Sequence, residues 1–155
     1  SLAHGSARGT CAVTSGGQVY CWGYNGSAYD LGLGAGAGGN VVTATLMPAM
    51  AGVAEVALAS SGGCLRRGGE VWCLGYLGGL ALIDGLGGSA VTPRRAGTAL
   101  FPVDDAVAIA AGRELWCAAR ASGGVVCMGR DGQGQLGNGL PMTDRSTVET
   151  AVGLP

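Results

Sequence analysis

Apolar positions recur in short runs punctuated by glycine. Val53–Ala59 alternates, with Ala54, Val56 and Leu58 on one side, and Asp105–Ala111 alternates with Val107, Ile109 and Ala111. Ser1–Ala7 reads as the tail of a third such strand whose beginning is missing. After each comes a pair of apolar runs around a Gly-Gly pair: GTCAVTSGGQVYCWG (Gly9–Gly23), GGCLRRGGEVWCLG (Gly62–Gly75) and LWCAARASGGVVCMG (Leu115–Gly129). Glycine admits the positive φ of tight turns, and the flanking Val, Tyr and Trp suit a pleated surface, so each predicts a β-hairpin. Glycine-rich loops follow at Tyr24–Gly39, Tyr76–Gly88 and Arg130–Gly139, then proline-containing extended runs at Val41–Pro48, Ala90–Pro102 and Met142–Pro155. Almost no helix is expected.

The pattern is a repeat. Cys11, Cys64 and Cys117 stand 53 residues apart, and Cys21, Cys73 and Cys127 return after 52 and then 54. A period near fifty marks stacked supersecondary units. The single domain 1–155 divides into units of roughly 1–52, 53–104 and 105–155. Three or four short strands per period make a propeller blade. The expected fold is all-β: a partial β-propeller of about three four-stranded antiparallel blades, open as an arc or completed by another segment or subunit.

Register predicts the cysteine partners. With a two-residue turn at Gly68-Gly69, Arg67 faces Glu70, Arg66 faces Val71, Leu65 faces Trp72 and Cys64 faces Cys73. Counting from the turn places the cysteines at a non-hydrogen-bonded position, where facing side chains come closest. The other copies carry one more residue, and a three-residue loop ending on Gly17 or Gly123 brings Cys11 opposite Cys21 and Cys117 opposite Cys127. The competing reading is buried free thiols, since cysteine is a frequent core residue. Zinc is not expected: there is no CxxC, and the lone His4 lies outside the pairs.

Composition makes bridges useful. Hydrophobic residues are 48% of the chain, yet much of that is alanine, and 32 of 155 residues are glycine. Such a chain buries a thin core against a high ordering entropy, and hairpin disulfides offset part of that. Paired cysteines imply an oxidising compartment, extracellular or periplasmic or at the cell surface. The start at Ser1 without methionine looks like a processed or excised piece. Net charge is −1 and every basic residue is arginine, a composition that points to a bacterium and leaves no electrostatic footprint for nucleic acid or anionic membrane. No segment is apolar for long enough to span a bilayer.

The third loop, GRDGQGQLGNG (Gly129–Gly139), completes a recognisable unit. With its hairpin, CAARASGGVVCMGRDGQGQLGNG resembles the repeat of the regulator of chromosome condensation family, and CAVTSGGQVYCWGYNGSAYDLGLG is similar with one residue inserted before Leu31. The second copy, CLGYLGGLALIDG, keeps Leu82 and Gly85 at the positions of Leu136 and Gly139 but lacks the Gly-Gln. The histidine that the family often has two residues before the first cysteine position is replaced by Gly9, Gly62 and Leu115. The resemblance implies a closed ring of seven blades, whereas this chain has material for three. An open arc leaves sheet edges exposed, which a longer parent polypeptide or further copies of the chain would cover.

Other motifs carry less. Gly132–Gly137 and Gly34–Gly39 fit G-x-G-x-x-G, but neither precedes a credible helix, so both read as turn glycines. Asn25-Gly-Ser27 is a glycosylation sequon, expected to be unoccupied, and Asp131 lacks the alternating acidic ligands of a calcium loop. His4 is the only histidine, so a serine or cysteine triad has no base. Asp104-Asp105 reads as a cap before a strand. No enzyme, metal or cofactor is expected.

Function then falls to the loops. Tyr24, Asn25, Tyr29, Tyr76, Arg130, Asp131 and Gln133 gather on one face of a propeller, and aromatics with arginine are residue types that anchor protein contacts. The same tyrosines also cover glycine-rich backbone. The expectation is a non-catalytic protein recognition and scaffold module, a role the resemblance implies for cysteine-paired members. The alternatives are a subunit of a surface layer or filament packing through open blade edges, and a guanine-nucleotide exchange factor, against which blade number and cysteine usage speak.

Overall fold

The computed structural model describes residues 2–4, 9–26, 31–33, 38–48, 50–60, 62–75, 90–96 and 103–154. Among them, twelve strands form three four-stranded sheets, each built from strands consecutive in the chain and antiparallel throughout. The first holds β1 (Leu2–His4), β2 (Gly9–Val13), β3 (Val19–Asn25) and β4 (Gly39–Leu46). The second holds β5 (Val53–Leu58), β6 (Gly62–Arg67), β7 (Glu70–Gly75) and β8 (Ala90–Arg95). The third holds β9 (Ala106–Ala111), β10 (Leu115–Arg120), β11 (Val125–Gly129) and β12 (Arg145–Thr150). Each sheet is one blade.

The hairpins take the register their turns dictate. Cys64 faces Cys73 and Arg67 faces Glu70 across the Gly68-Gly69 turn. In the first copy Thr14 N–H donates to the Gln18 carbonyl and Gly17 N–H to the Thr14 carbonyl, which closes a three-residue loop on Gly17 at φ +73°. Arg120, Gly123 and Gly124 repeat that geometry in the third copy. The disulfides Cys11–Cys21, Cys64–Cys73 and Cys117–Cys127 span Cα separations of 4.1, 4.0 and 4.1 Å. Those are the short spacings of non-hydrogen-bonded pairs.

Alternation along the first strands is interrupted. Val53 pairs with Arg67 and Glu55 with Arg66, so Ala54 is the extra residue of a β-bulge. Val107 is skipped in the same way between Ala106 and Ala108. A bulge turns the residues before it onto the other face. Val53 and Val56 are therefore both buried while Ala54 is exposed, and Ala106 and Ile109 are buried while Val107 is 54% exposed. Strict alternation had placed Ala54 with Val56 and Val107 with Ile109.

Contacts between sheets concentrate on the first and second strands, β1 and β2 with β5, and β5 and β6 with β9. The sheets thus converge on their first strands, as propeller blades do. Two apolar layers lie between them. Cys11, Val19, Cys21 and Met47 of the first sheet pack with Val56, Leu65 and Leu74 of the second. On the opposite face of the second sheet, Cys64, Val71, Cys73 and Ala96 pack with Ile109, Trp116, Ala118 and Met128 of the third. The first two disulfides therefore face forward, each toward the next blade in the chain.

Candidate functional site: the loop face

Hairpin tips occupy one end of every sheet, so antiparallel order sends the β3–β4 and β11–β12 loops to the other end. These loops are fixed by a shared device. Asn25, at the end of β3, accepts a hydrogen bond on Oδ1 from Leu31 N–H at 3.0 Å. Asp131, at the same distance past its cysteine, accepts on Oδ1 from Leu136 N–H at 2.9 Å. Both side chains are fully buried, and they seat Leu31 and Leu136, which are 2% and 1% exposed. A short side chain that satisfies a nearby backbone amide is the Asx device of turns. The corresponding residue of the second copy is Leu77, which has no such oxygen and lies outside the described residues.

The remaining predicted residues divide by exposure. Tyr24 is 41% exposed, with its ring laid over Gly26, where a Cβ would sit 2.5 Å from Cε1. It covers glycine backbone and presents an aromatic edge at once. Arg130 is exposed; its guanidinium donates to Glu114 Oε2 at 2.6 Å, and that partner raises its pKa. Gln133 is exposed on the turn that Gln135 holds through the Gln133 N–H, at 2.7 Å. Tyr29 and Tyr76 lie outside the described residues. Tyr24 in the first sheet's loop and Arg130 and Gln133 in the third sheet's loop are thus exposed, beside Asn25 and Asp131 as buried struts of their own loops.

Gly132–Gly137 is a pair of turns. Gly134 and Gly137 adopt φ +74° and +61°, and their N–H groups donate to Asp131 and Gly134 carbonyls. No helix follows, so the phosphate-cradling geometry is absent from this stretch. No helix among the described residues is long and apolar enough to cross a membrane.

Three polar knots escaped the sequence. Glu55 Oε2 accepts from Arg66 Nε at 3.0 Å and from Ile109 N–H at 3.2 Å, which ties the second sheet to the third. Glu70 accepts on Oε2 from Trp72 Nε1 and Arg67 and on Oε1 from Arg95, while the Arg67 guanidinium lies 4.9 Å over the Trp72 ring. The Trp72 hydrogen bond, then Arg67, holds the Glu70 carboxyl below its ordinary pKa. Asp105 binds Ser122 through N–H and Oγ and pairs with Arg120 Nε at 2.5 Å, which locks the third hairpin tip to β9. Chiefly through Ser122, its pKa falls from 3.8 to about 2. Only the facing of Arg67 and Glu70 follows from the turn; the Trp72–Glu70 bond lies within β7, and the rest join residues 11 to 54 positions apart.

Residues 5–28 match the Regulator of chromosome condensation (RCC1) repeat. No curated protein sequence matches the chain. Among solved structures, human WBSCR16 superposes with a TM-score of 0.81 at 20% identity, covering 100% of this chain and 39% of that one. Prp20p from Saccharomyces cerevisiae, described with its binding to Gsp1p and histones, gives 0.76 at 23% identity, covering 90% and 34%. Yeast RCC1 (Prp20) bound to Kap60 gives 0.74 at 16% identity, covering 97% and 36%. The chain thus spans little over a third of the proteins it resembles in fold. Its three blades have the fold of the regulator of chromosome condensation propellers, and the first copy carries that repeat.

Proposed function

We propose that the chain is a non-catalytic protein recognition and scaffold module that works outside the cytosol, with the loop face as its contact surface. The observation that carries this reading is the pairing of exposed Tyr24, Arg130 and Gln133 with buried Asn25 and Asp131, which fix the loops beneath them. Loops stiffened before binding lose less entropy when a partner arrives. Arginine and tyrosine at the centre of a contact are the residue types that dominate binding energy. The fold supports the same role, since propellers of this kind are described in complex with protein partners. Three disulfides support an oxidising compartment.

The test is affinity capture from an extracytoplasmic fraction with the oxidised chain and a Tyr24→Ser/Arg130→Ala/Gln133→Ala variant. A partner retained by the parent chain should bind the variant at least about tenfold more weakly, the loss of roughly 1.4 kcal/mol or more expected for one anchor residue. Equal retention by both proteins would remove the loop face from the account. Acceleration of guanine-nucleotide release from a small GTPase would instead favour the exchange-factor reading.

A further inference from the structure

Every blade ends on an outer strand that is paired on one side only among the described residues: β4 with β3, β8 with β7 and β12 with β11. All three make the same bulge. Thr45 faces Cys21 and Val41 faces Gly23; Arg94 faces Cys73 and Ala90 faces Gly75; Glu149 faces Cys127 and Arg145 faces Gly129. The outer strand thus advances four residues where its neighbour advances two. This shared register sets the strands position against position. Ala44 stands where the second blade has Pro93, and Leu46 where it has Arg95.

The three edges differ in their protection. A free edge is a row of unpaired N–H and C=O groups that recruits other strands unless proline or charge blunts it. β8 holds Pro93, which has no N–H to offer, followed by Arg94 and Arg95. β12 begins on Arg145 and carries Glu149. β4, GNVVTATL, has neither charge nor proline, and at eight residues it is the longest of the twelve strands. Six of those eight residues are exposed, Val42, Thr43 and Ala44 in succession, and Val42 is 87% exposed. Neutral, β-branched segments without proline are those most prone to pair with another strand. Alternation aims their backbone outward. Cys11 and Cys21 form a non-hydrogen-bonded pair, so Cys21 bonds to Thr45 on its other side, and Asn40, Val42, Ala44 and Leu46 turn N–H and C=O toward the free edge. The next bond in that ladder, Met47 N–H to the Val19 carbonyl at 2.8 Å, keeps the same alternation. Within the bulge the Thr43 carbonyl is satisfied by the Thr45 hydroxyl at 3.0 Å.

We propose that the β4 edge pairs antiparallel with the β4 edge of a second copy, about a two-fold axis at Thr43, joining two four-stranded sheets into one of eight strands. In that register Val42 lies opposite Ala44 and Asn40 opposite Leu46, so all four outward residues are used. The two Thr43 residues face each other at a non-hydrogen-bonded position, where strands approach most closely. Threonine opposite threonine is a favourable cross-strand pair, and no like charges meet anywhere along the segment. A second copy therefore supplies the match that the edge itself specifies: neutral, β-branched and equal in length. Among the described outer strands each chain has one such edge, so the pairing closes at two copies and does not propagate as a filament. It uses none of Tyr24, Arg130 or Gln133.

The experiment is sedimentation equilibrium of the oxidised chain across roughly 1–200 μM, where a monomer–dimer equilibrium is expected of so small a contact. Ala44→Pro/Leu46→Arg gives β4 the residues of the second blade at positions whose N–H groups face outward, so pairing with β3 is kept. That variant should retain its three disulfides and dimerise at least about tenfold more weakly, since each dimer loses two inter-chain hydrogen bonds. A second readout does not depend on its folding. Thr43→Cys should give an inter-chain disulfide in peptide maps, whereas Thr45→Cys should not, because its two-fold mate stands beyond bridging distance. A parent chain that stays monomeric across the range overturns the proposal and leaves the edge to an extended segment of a different protein. So does a dimer that the double variant forms as tightly as the parent, or one that Thr45→Cys traps as readily as Thr43→Cys.

Discussion

Asn25 and Asp131 carry more of the loop structure than any exposed residue beside them. Each satisfies one buried backbone N–H, so removing the oxygen leaves Leu31 or Leu136 N–H without a partner in an apolar setting. Asn25→Ala and Asp131→Ala are each expected to cost about 1–3 kcal/mol in urea unfolding, while Asp131→Asn, which copies the first repeat, should cost much less. Sequence alone grouped these two with the exposed candidates because an Asx side chain at a loop start serves equally well as a strut or as a contact. Burial separates the roles, and burial depends on Leu31 and Leu136 folding back over the sheet.

Asp105 gives the residue scale a pH signature. Its pKa in the folded chain, about 2, lies below the ordinary 3.8, so the ionised form is favoured by folding. The stabilisation is complete above the unfolded value and is lost as pH falls toward the folded one. Thermal unfolding followed from pH 5 down to about 2 should show a decline in midpoint that Asp105→Asn flattens. An identical decline in the variant would assign the acid sensitivity to other carboxylates.

At the scale of the element, each hairpin is set by its turn and secured by its bridge. The register of all three was legible because glycine positions fix loop length and loop length fixes facing pairs. The first strands were legible only in outline. Ala54 and Val107 are bulged, and nothing in an alternating run of small apolar residues announces where an extra residue will sit. The first two hairpin tips also act as wedges between blades. Gly69→Ala should be destabilising by about 1–3 kcal/mol, since its Cβ would meet the Asp104 carbonyl backbone. Gly16→Ala, with only Thr14 Oγ1 near, at 3.9 Å, should lie within about 0.5 kcal/mol of the parent. Equal effects would mean that the tips do not bear on the next blade.

The whole molecule is a run of three blades in which each interface joins one sheet's disulfide face to the next sheet's bulky apolar face. Repetition made this architecture readable, because a period of 52 to 54 residues recurs across cysteines, turn glycines and loops together. What repetition could not supply is the polar stitching that differs from blade to blade. Glu55 reaches Ile109 N–H across the second junction, yet the residue 53 positions later is Ala108, so the clasp occurs once and leaves no periodic trace. The second glycine-rich loop, with Leu77 in place of an Asx residue, lies outside the described residues.

Non-reducing peptide mapping of the purified chain tests the architecture most directly. Three bridges confined to single repeats, Cys11–Cys21, Cys64–Cys73 and Cys117–Cys127, are the expected result, with no alkylatable thiol before reduction. Bridges joining cysteines of different repeats would contradict both the hairpin register and the forward-facing stack built on it.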